Sequence, residues 1–129
     1  ELDADGNVVV VDLKTVRRLP TLAEVKAHDQ LGFYQLMISH GAADELVERQ
    51  AAPGGAELVQ LRVPGAEAKV QPQPALAPDD DGVVWIETRL REAVRRLREE
   101  DFAAAPGRYC DYCQFSAMCP AKVSGTVLT

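Results

Sequence analysis

Four consecutive valines, Val8 to Val11, run into Asp12-Leu13-Lys14, and this β-branched stretch predicts a strand over residues 7–14. Asp5-Gly6-Asn7 ahead of it is a hairpin turn signal, so the strand is expected to pair with one ending just before Asp5. Most of that partner would lie upstream of Glu1, and a chain starting in mid-element reads as a piece of a longer protein. Thr21-Leu22-Ala23-Glu24 after Pro20 is a capping-box pattern. Ala27, Leu31, Tyr34, Ile38 and Ala42 then recur at spacings of three and four, the buried stripe of a helix that Gly41 would cap. His28-Asp29 leaves two forms open, one bent helix or a short turn followed by a main helix from Asp29.

Pro53-Gly54-Gly55 breaks the pattern before a second strand, residues 56–63, in which apolar Leu58 and polar Gln60 alternate. Pro64-Gly65 turns it into a third, residues 68–73, completing a second hairpin. The prolines from Pro72 to Pro78 cannot donate a regular ladder, which predicts an extended edge or linker. Asp79, Asp80 and Asp81 offer N-caps for a long helix over 83–101, with Ile86, Leu90, Val94 and Leu97 as its buried stripe. From Ala103 onward the pattern is that of a loop-rich tail. The organisation expected is a core over 1–102 and a cysteine-containing tail over 103–129.

Composition narrows the function classes. With 129 residues and 47% hydrophobic side chains the chain can bury one modest core. It carries 20 acidic against 14 basic residues and a pI near 4.9, opposite to the basic footprint of an autonomous nucleic-acid binder. Any affinity for DNA must then come from a local cluster such as Arg89, Arg91, Arg95, Arg96 and Arg98, or from other domains. No apolar run approaches a membrane span and no basic-then-apolar leader is present, so the expectation is a cytoplasmic protein without a membrane partner. The three cysteines all fall between positions 110 and 119, which suits a metal site in a reducing compartment better than a disulfide framework.

Two constellations carry chemistry. At the end of the first strand, period-two geometry puts Asp12 and Lys14 on one face. A carboxylate that can ligate a divalent ion, beside a cation that can stabilise developing charge, is what phosphodiester hydrolysis needs, although such a pair also describes a solvated strand end. Gln30 and Tyr34, one helical turn apart, share a face, and Tyr34 reads equally as core packing. The second constellation is Cys110-x2-Cys113-x5-Cys119-Pro120, three thiols suited to a soft metal or an iron-sulfur cluster but one ligand short of either. His28 and His40 are weak candidates for the fourth, and three buried or free thiols are the plain alternative.

The order D-x-K at a strand end, Q-x-x-x-Y in the next helix, then the cysteine tail, resembles the RecB-like branch of the PD-(D/E)XK nucleases, found in AddB- and AdnB-type helicase-nucleases. The resemblance implies a restriction-endonuclease-like α/β fold, a central mixed sheet flanked by helices. It makes Asp12 a ligand of catalytic Mg2+ or Mn2+, Lys14 the catalytic lysine, and Gln30 and Tyr34 supporting residues against DNA. It makes Cys110, Cys113 and Cys119 the last three ligands of a 4Fe-4S cluster, the first being expected upstream of Glu1, as is the family's first acidic residue. Asp3 and Asp5 lie too near the turn to replace that acid. The function implied is a metal-dependent deoxyribonuclease, an exonuclease on single-stranded ends or else an endonuclease, processing double-strand breaks with helicase motor domains in the same polypeptide and a second helicase-nuclease subunit as partner. Two readings from other classes compete: a fold-retaining DNA-binding module that does not cut, and a zinc-stabilised interaction domain.

Overall fold

The computed structural model describes residues 1–64 and 67–121, and the chain forms two compact units, Glu1–Leu90 and Arg91–Thr129. In the first unit, strand β1 (Val8–Lys14) pairs in parallel with β2 (Pro53–Gln60), which pairs antiparallel with β3 (Lys69–Gln73), a mixed sheet in the order β1-β2-β3. Parallel neighbours need a crossover, because a tight turn can only reverse the chain. Here the crossover contains helices α1 (Leu22–Lys26), α2 (Asp29–Ser39) and α3 (Asp44–Val47). Helix α4 (Trp85–Arg98) follows the sheet. This is the mixed α/β architecture of the restriction-endonuclease-like fold, as expected from the sequence.

The predicted hairpin at the start is present. Leu2 bridges Val8 in antiparallel sense, Val9 N–H donates to the Glu1 carbonyl at 2.8 Å, and Gly6 takes φ +79° in the turn. The capping box forms as read: Glu24 N–H donates to Thr21 Oγ1 and Thr21 N–H to the Glu24 carboxylate. Of the two forms left open at His28-Asp29, the chain adopts the short helix followed by the main one. Gly41, at φ +91°, closes α2 with its N–H on Ile38 and that of Ala42 on Met37, the paired bonds of a Schellman end.

The buried stripe of α2 differs from the one read off the spacing. Leu31, Gly32, Gln35, Leu36 and Ile38 are buried, whereas Ala27, Tyr34 and Ala42 are exposed. The stripe is rotated because polar Gln35 is drawn inside by hydrogen bonds, which an apolar-only pattern does not count. The same holds for β2: Leu58 and Gln60, two residues apart, both face inward, and Gln60 is 1% exposed. The strand also starts earlier and ends earlier than expected. Pro53 stands at its first position, and Gly55 takes φ +118° beside a register shift, where a Cβ would meet the Gln73 carbonyl at 2.9 Å. After Gln60 the pairing runs out, and Leu61 N–H closes the ladder on the Lys14 carbonyl. The predicted Pro64-Gly65 turn lies partly outside the described residues.

The apolar core is small: Val25, Leu31, Ala56 and Leu58 with Val10 against them, continuous through Val10 with Ile38, Ala43 and Ala51. The Pro/Gln stretch supplies the rest of the interior. Strand alternation turns Pro72 outward, where an edge strand tolerates a missing donor, and turns Gln71 and Gln73 inward. Gln73 Nε2 lies 2.9 Å from the Val25 carbonyl and 3.2 Å from those of Lys26 and His28, and its Oε1 accepts from Gln35 Nε2 at 2.9 Å. Gln35 Oε1 in turn accepts from Leu76 N–H. These bonds reinforce the main chain where α1 gives way to α2: the Val25 and His28 carbonyls also accept from His28 and Gly32 N–H, and Gln73 adds a donor there and at Lys26.

Helix α4 is shorter than predicted. Asp79 does not cap it but folds the preceding turn, accepting from Asp81 and Val83 N–H. At the other end Glu100 takes φ +54° and Asp101 N–H returns to the Arg96 carbonyl. Ile86 is buried, with Trp85 and Ile86 side chains closing on Gly32, while Leu90 and Leu97 are exposed. Spacing says which face of a helix is apolar, not what covers it.

Replacing Gln73 by Leu should cost about 3 kcal/mol of unfolding free energy, since it strips partners from several buried groups at once, each worth roughly 1–3 kcal/mol. Urea unfolding of the variant measures this, and a loss under about 1 kcal/mol would show that the carbonyls find other partners.

Candidate functional site

The inner face of β1 carries Val8 and Val10 into the core and then, by the same alternation, Asp12 and Lys14 to its end. Lys14 Nζ stands 2.8 Å from Asp12 Oδ2 and donates to Gln30 Oε1 at 2.8 Å. Gln30 Nε2 donates to Tyr34 Oη at 2.8 Å. The four residues singled out from the sequence therefore form one contiguous chain of contacts, two from the strand and two from α2. Tyr34 is 38% exposed and belongs to this chain, so core packing does not explain it.

The direction of every bond in the relay follows from its first member. An ammonium can only donate, so Gln30 must turn its carbonyl oxygen to Lys14 and its amide nitrogen to Tyr34. The Tyr34 oxygen accepts, and its own proton is left to donate outward. Lys14 has a further N–H beyond those aimed at Asp12 and Gln30. Asp12 Oδ2 is shielded from solvent and, although ion-paired with Lys14, has no well-aligned hydrogen bond. A hard carboxylate oxygen in that condition fits a divalent ion, which commonly takes only one or two protein carboxylates and completes its shell with water and phosphate. Among the described residues no three His, Cys, Asp or Glu side chains gather into a metal-holding group.

Asp3 is committed elsewhere. Its Oδ1 accepts from Asp5 and Asn7 N–H and its Oδ2 from Asn7 Nδ2, which ties it to the hairpin turn. The Asn7 backbone N–H above all holds its carboxyl below the usual range. Three arginines of the basic cluster considered from the sequence are likewise engaged: Arg89 pairs with Asp29, Arg95 with Glu92 and Glu99, and Arg96 with Asp101. Hydrogen bonding to Glu92 raises the Arg95 guanidinium above its ordinary value. These arginines are poor candidates for phosphate binding, because neighbouring acids already neutralise them.

In the second unit Cys110 opens a short 3-10 turn (Cys110–Tyr112) and its Sγ accepts from Gly107 N–H at 3.1 Å. Cys110 and Cys119 are part-buried and Cys113 is exposed, all as free thiols. As placed they do not gather into one metal-binding set. His40 is exposed at the end of α2, and His28 is the N-cap of α2 with a buried, unpartnered Nδ1.

The sequence reading missed a cleft of about 370 Å3 that Lys14 shares with Arg18, His28 and Gln60. A polar residue two positions from a buried one on a strand was the available signal. Gln60 Nε2 donates to Gln71 Oε1 at 3.2 Å and Gln71 Nε2 to the Pro20 carbonyl at 2.8 Å, leaving Gln60 Oε1 without a partner.

The family model described as the PD-(D/E)XK nuclease superfamily matches residues 1–120 of the chain. No curated protein matches it significantly.

Because Asp3 has a lowered pKa when folded, its hold on the turn is complete above the ordinary value of 3.8 and is lost as pH falls through the folded-state value. An acid titration followed at the Asn7 amide resonance should give a midpoint below 3.8. A midpoint at or above it would mean that the carboxylate is not held by the turn.

Proposed function

Since the chain belongs to the PD-(D/E)XK nuclease superfamily, we propose that Asp12 and Lys14 form its cutting site on DNA, with hydrolysis dependent on Mg2+ or Mn2+. The observation that carries this reading is the position of Lys14 Nζ, 2.8 Å from both Asp12 Oδ2 and Gln30 Oε1, groups from separate elements. A divalent ion at Asp12, when bound, supplies Lewis-acid polarisation of the phosphate and acidifies the attacking water. Asp12 would hold that ion through its carboxylate. Lys14, kept in place by Asp12 and Gln30, presents its remaining N–H to the charge that grows on the phosphoryl oxygens. Gln30 keeps the ammonium from swinging away, and the outward proton of Tyr34 donates to the DNA strand.

The finer assignment rests on the order of motifs. We assign the chain to a RecB-like helicase-nuclease of the cytoplasm, an exonuclease on single-stranded ends, working with helicase motor domains and a second subunit in double-strand-break repair. Cys110, Cys113 and Cys119 are assigned to a 4Fe-4S staple on spacing alone, with a fourth ligand from outside the chain. No step of the hydrolysis runs through it. The second reading is a module that keeps the fold and binds DNA without cutting it.

Asp12→Ala should retain the fold and lower metal-dependent cleavage of single-stranded DNA by about a hundredfold or more, both in this chain and in a form extended upstream by one strand. Gln30→Ala should lower it by roughly tenfold through misplacement of Lys14. Cleavage unchanged in Asp12→Ala, measured on end-labelled oligonucleotides, removes Asp12 from the mechanism, and no cleavage by either form of the wild type selects the binding module. Anaerobic reconstitution, with iron and sulfide, of a form extended upstream through the first cysteine should give a visible charge-transfer band that Cys113→Ser abolishes. Tight zinc with no such band would sink the cluster assignment.

A further inference from the structure

The cleft beside Lys14 is lined by residues of different character. Gln60, 1% exposed, lines it, with Oε1 unpartnered and shielded from solvent while the cleft is empty. Val16, Pro20 and Leu58 supply apolar walls, and Lys14 and Arg18 supply cationic groups, with Glu24 bonded to Arg18 at 3.4 Å. At about 370 Å3 it falls in the range of small-molecule pockets, roughly 300–1,000 Å3. The orientation of the Gln60 amide is imposed from outside the cleft. The Pro20 carbonyl can only accept, so Gln71 gives it Nε2 and keeps Oε1 for Gln60, which must answer with its own Nε2. What remains is a buried acceptor, costly while unpaired.

We infer that this cleft takes the nucleobase next to the scissile phosphate, with an N–H of the base donating to Gln60 Oε1; the inference rests on the nuclease reading and names what that site holds. Three features converge on a base. Lys14 belongs to both places, so whatever fills the cleft abuts the phosphate that Lys14 faces. Apolar walls suit the faces of a flat ring, as they do where single strands are bound. Each of the four DNA bases carries an N–H on its pairing edge, so the acceptor senses that a base is present rather than which base it is. In a duplex that edge is already paired, and the base would have to leave the stack to enter. The cleft therefore selects single strands or frayed ends. His28, whose Nδ1 is also buried and unpartnered, lines the same space.

The test titrates this chain, by NMR, with thymidine 5′-monophosphate, its N3-methyl derivative, and deoxyribose 5-phosphate. The methyl group removes the one N–H of thymine, and the sugar phosphate removes the ring. Both should bind roughly tenfold more weakly than the parent nucleotide, the worth of about one hydrogen bond. Gln60→Met should erase the difference made by the methyl group. Val16→Trp, at a position 53% exposed, should block the parent nucleotide while leaving the unfolding midpoint unchanged. Equal binding of all three ligands, no binding of any, or a preference that survives Gln60→Met overturns the base site, as it would if Gln60 only holds a structural water. The cleavage assay with Asp12→Ala is read separately. Metal-dependent cutting without a base preference refutes the cleft alone, and a base preference without cutting refutes the nuclease reading alone.

Discussion

A single buried carboxamide, that of Gln73, ties the helical layer to the sheet. It binds three carbonyls at the junction of α1 and α2 from the edge strand β3, and it is itself anchored by Gln35 of α2. The apolar core of this unit is small, and small cores leave little stability to spare. A satisfied polar network then does what extra apolar area cannot: it accepts one arrangement and penalises others by leaving groups unpaired. The start of α2 is held by it, and Gln30 lies in the first turn of that helix. The reach of Gln30 to Lys14 thus descends from a glutamine far from the site.

Two hydrogen-bond relays in the unit share one logic, in which a group with a fixed role dictates the polarity of the rest. In one, the Lys14 ammonium can only donate, which leaves the Tyr34 proton facing outward. In the other, the Pro20 carbonyl can only accept, which leaves Gln60 Oε1 facing nothing. One relay ends in a spare donor and the other in a spare acceptor, on residues that meet at Lys14. That complementarity makes a strand of nucleotides, with acidic phosphates and N–H-bearing bases, a coherent occupant.

Net charge misleads for the same reason that it is a sum. The chain is acidic overall, yet many of its charges cancel locally: Arg95 and Arg96 among Glu92, Glu99 and Asp101, Arg89 with Asp29, Asp3 within its own turn. Exposed pairs of this kind contribute little stability, but they remove their members from the pool available to a ligand. The charge that matters at a site is the one its neighbours have not already answered, and in the cleft both cations, Lys14 with Asp12 and Arg18 with Glu24, already face a carboxylate.

Much of the architecture was legible because it rests on local chemistry. The valine run made a strand, Asp5-Gly6-Asn7 a turn, Thr21-Glu24 a capping box and Gly41 a helix end, each from interactions within a few residues. Strand alternation put Asp12 and Lys14 on one face, and helical periodicity put Gln30 and Tyr34 on one turn. Tertiary structure alone decided that these two pairs meet, that Gln35, Gln60, Gln71 and Gln73 lie inside, and that Leu90 and Leu97 do not. The physical reason is that periodicity records which residues share a face, whereas burial of a polar group depends on partners distant in sequence. A glutamine is as readily a surface residue as a keystone until the carbonyls it must satisfy are brought beside it.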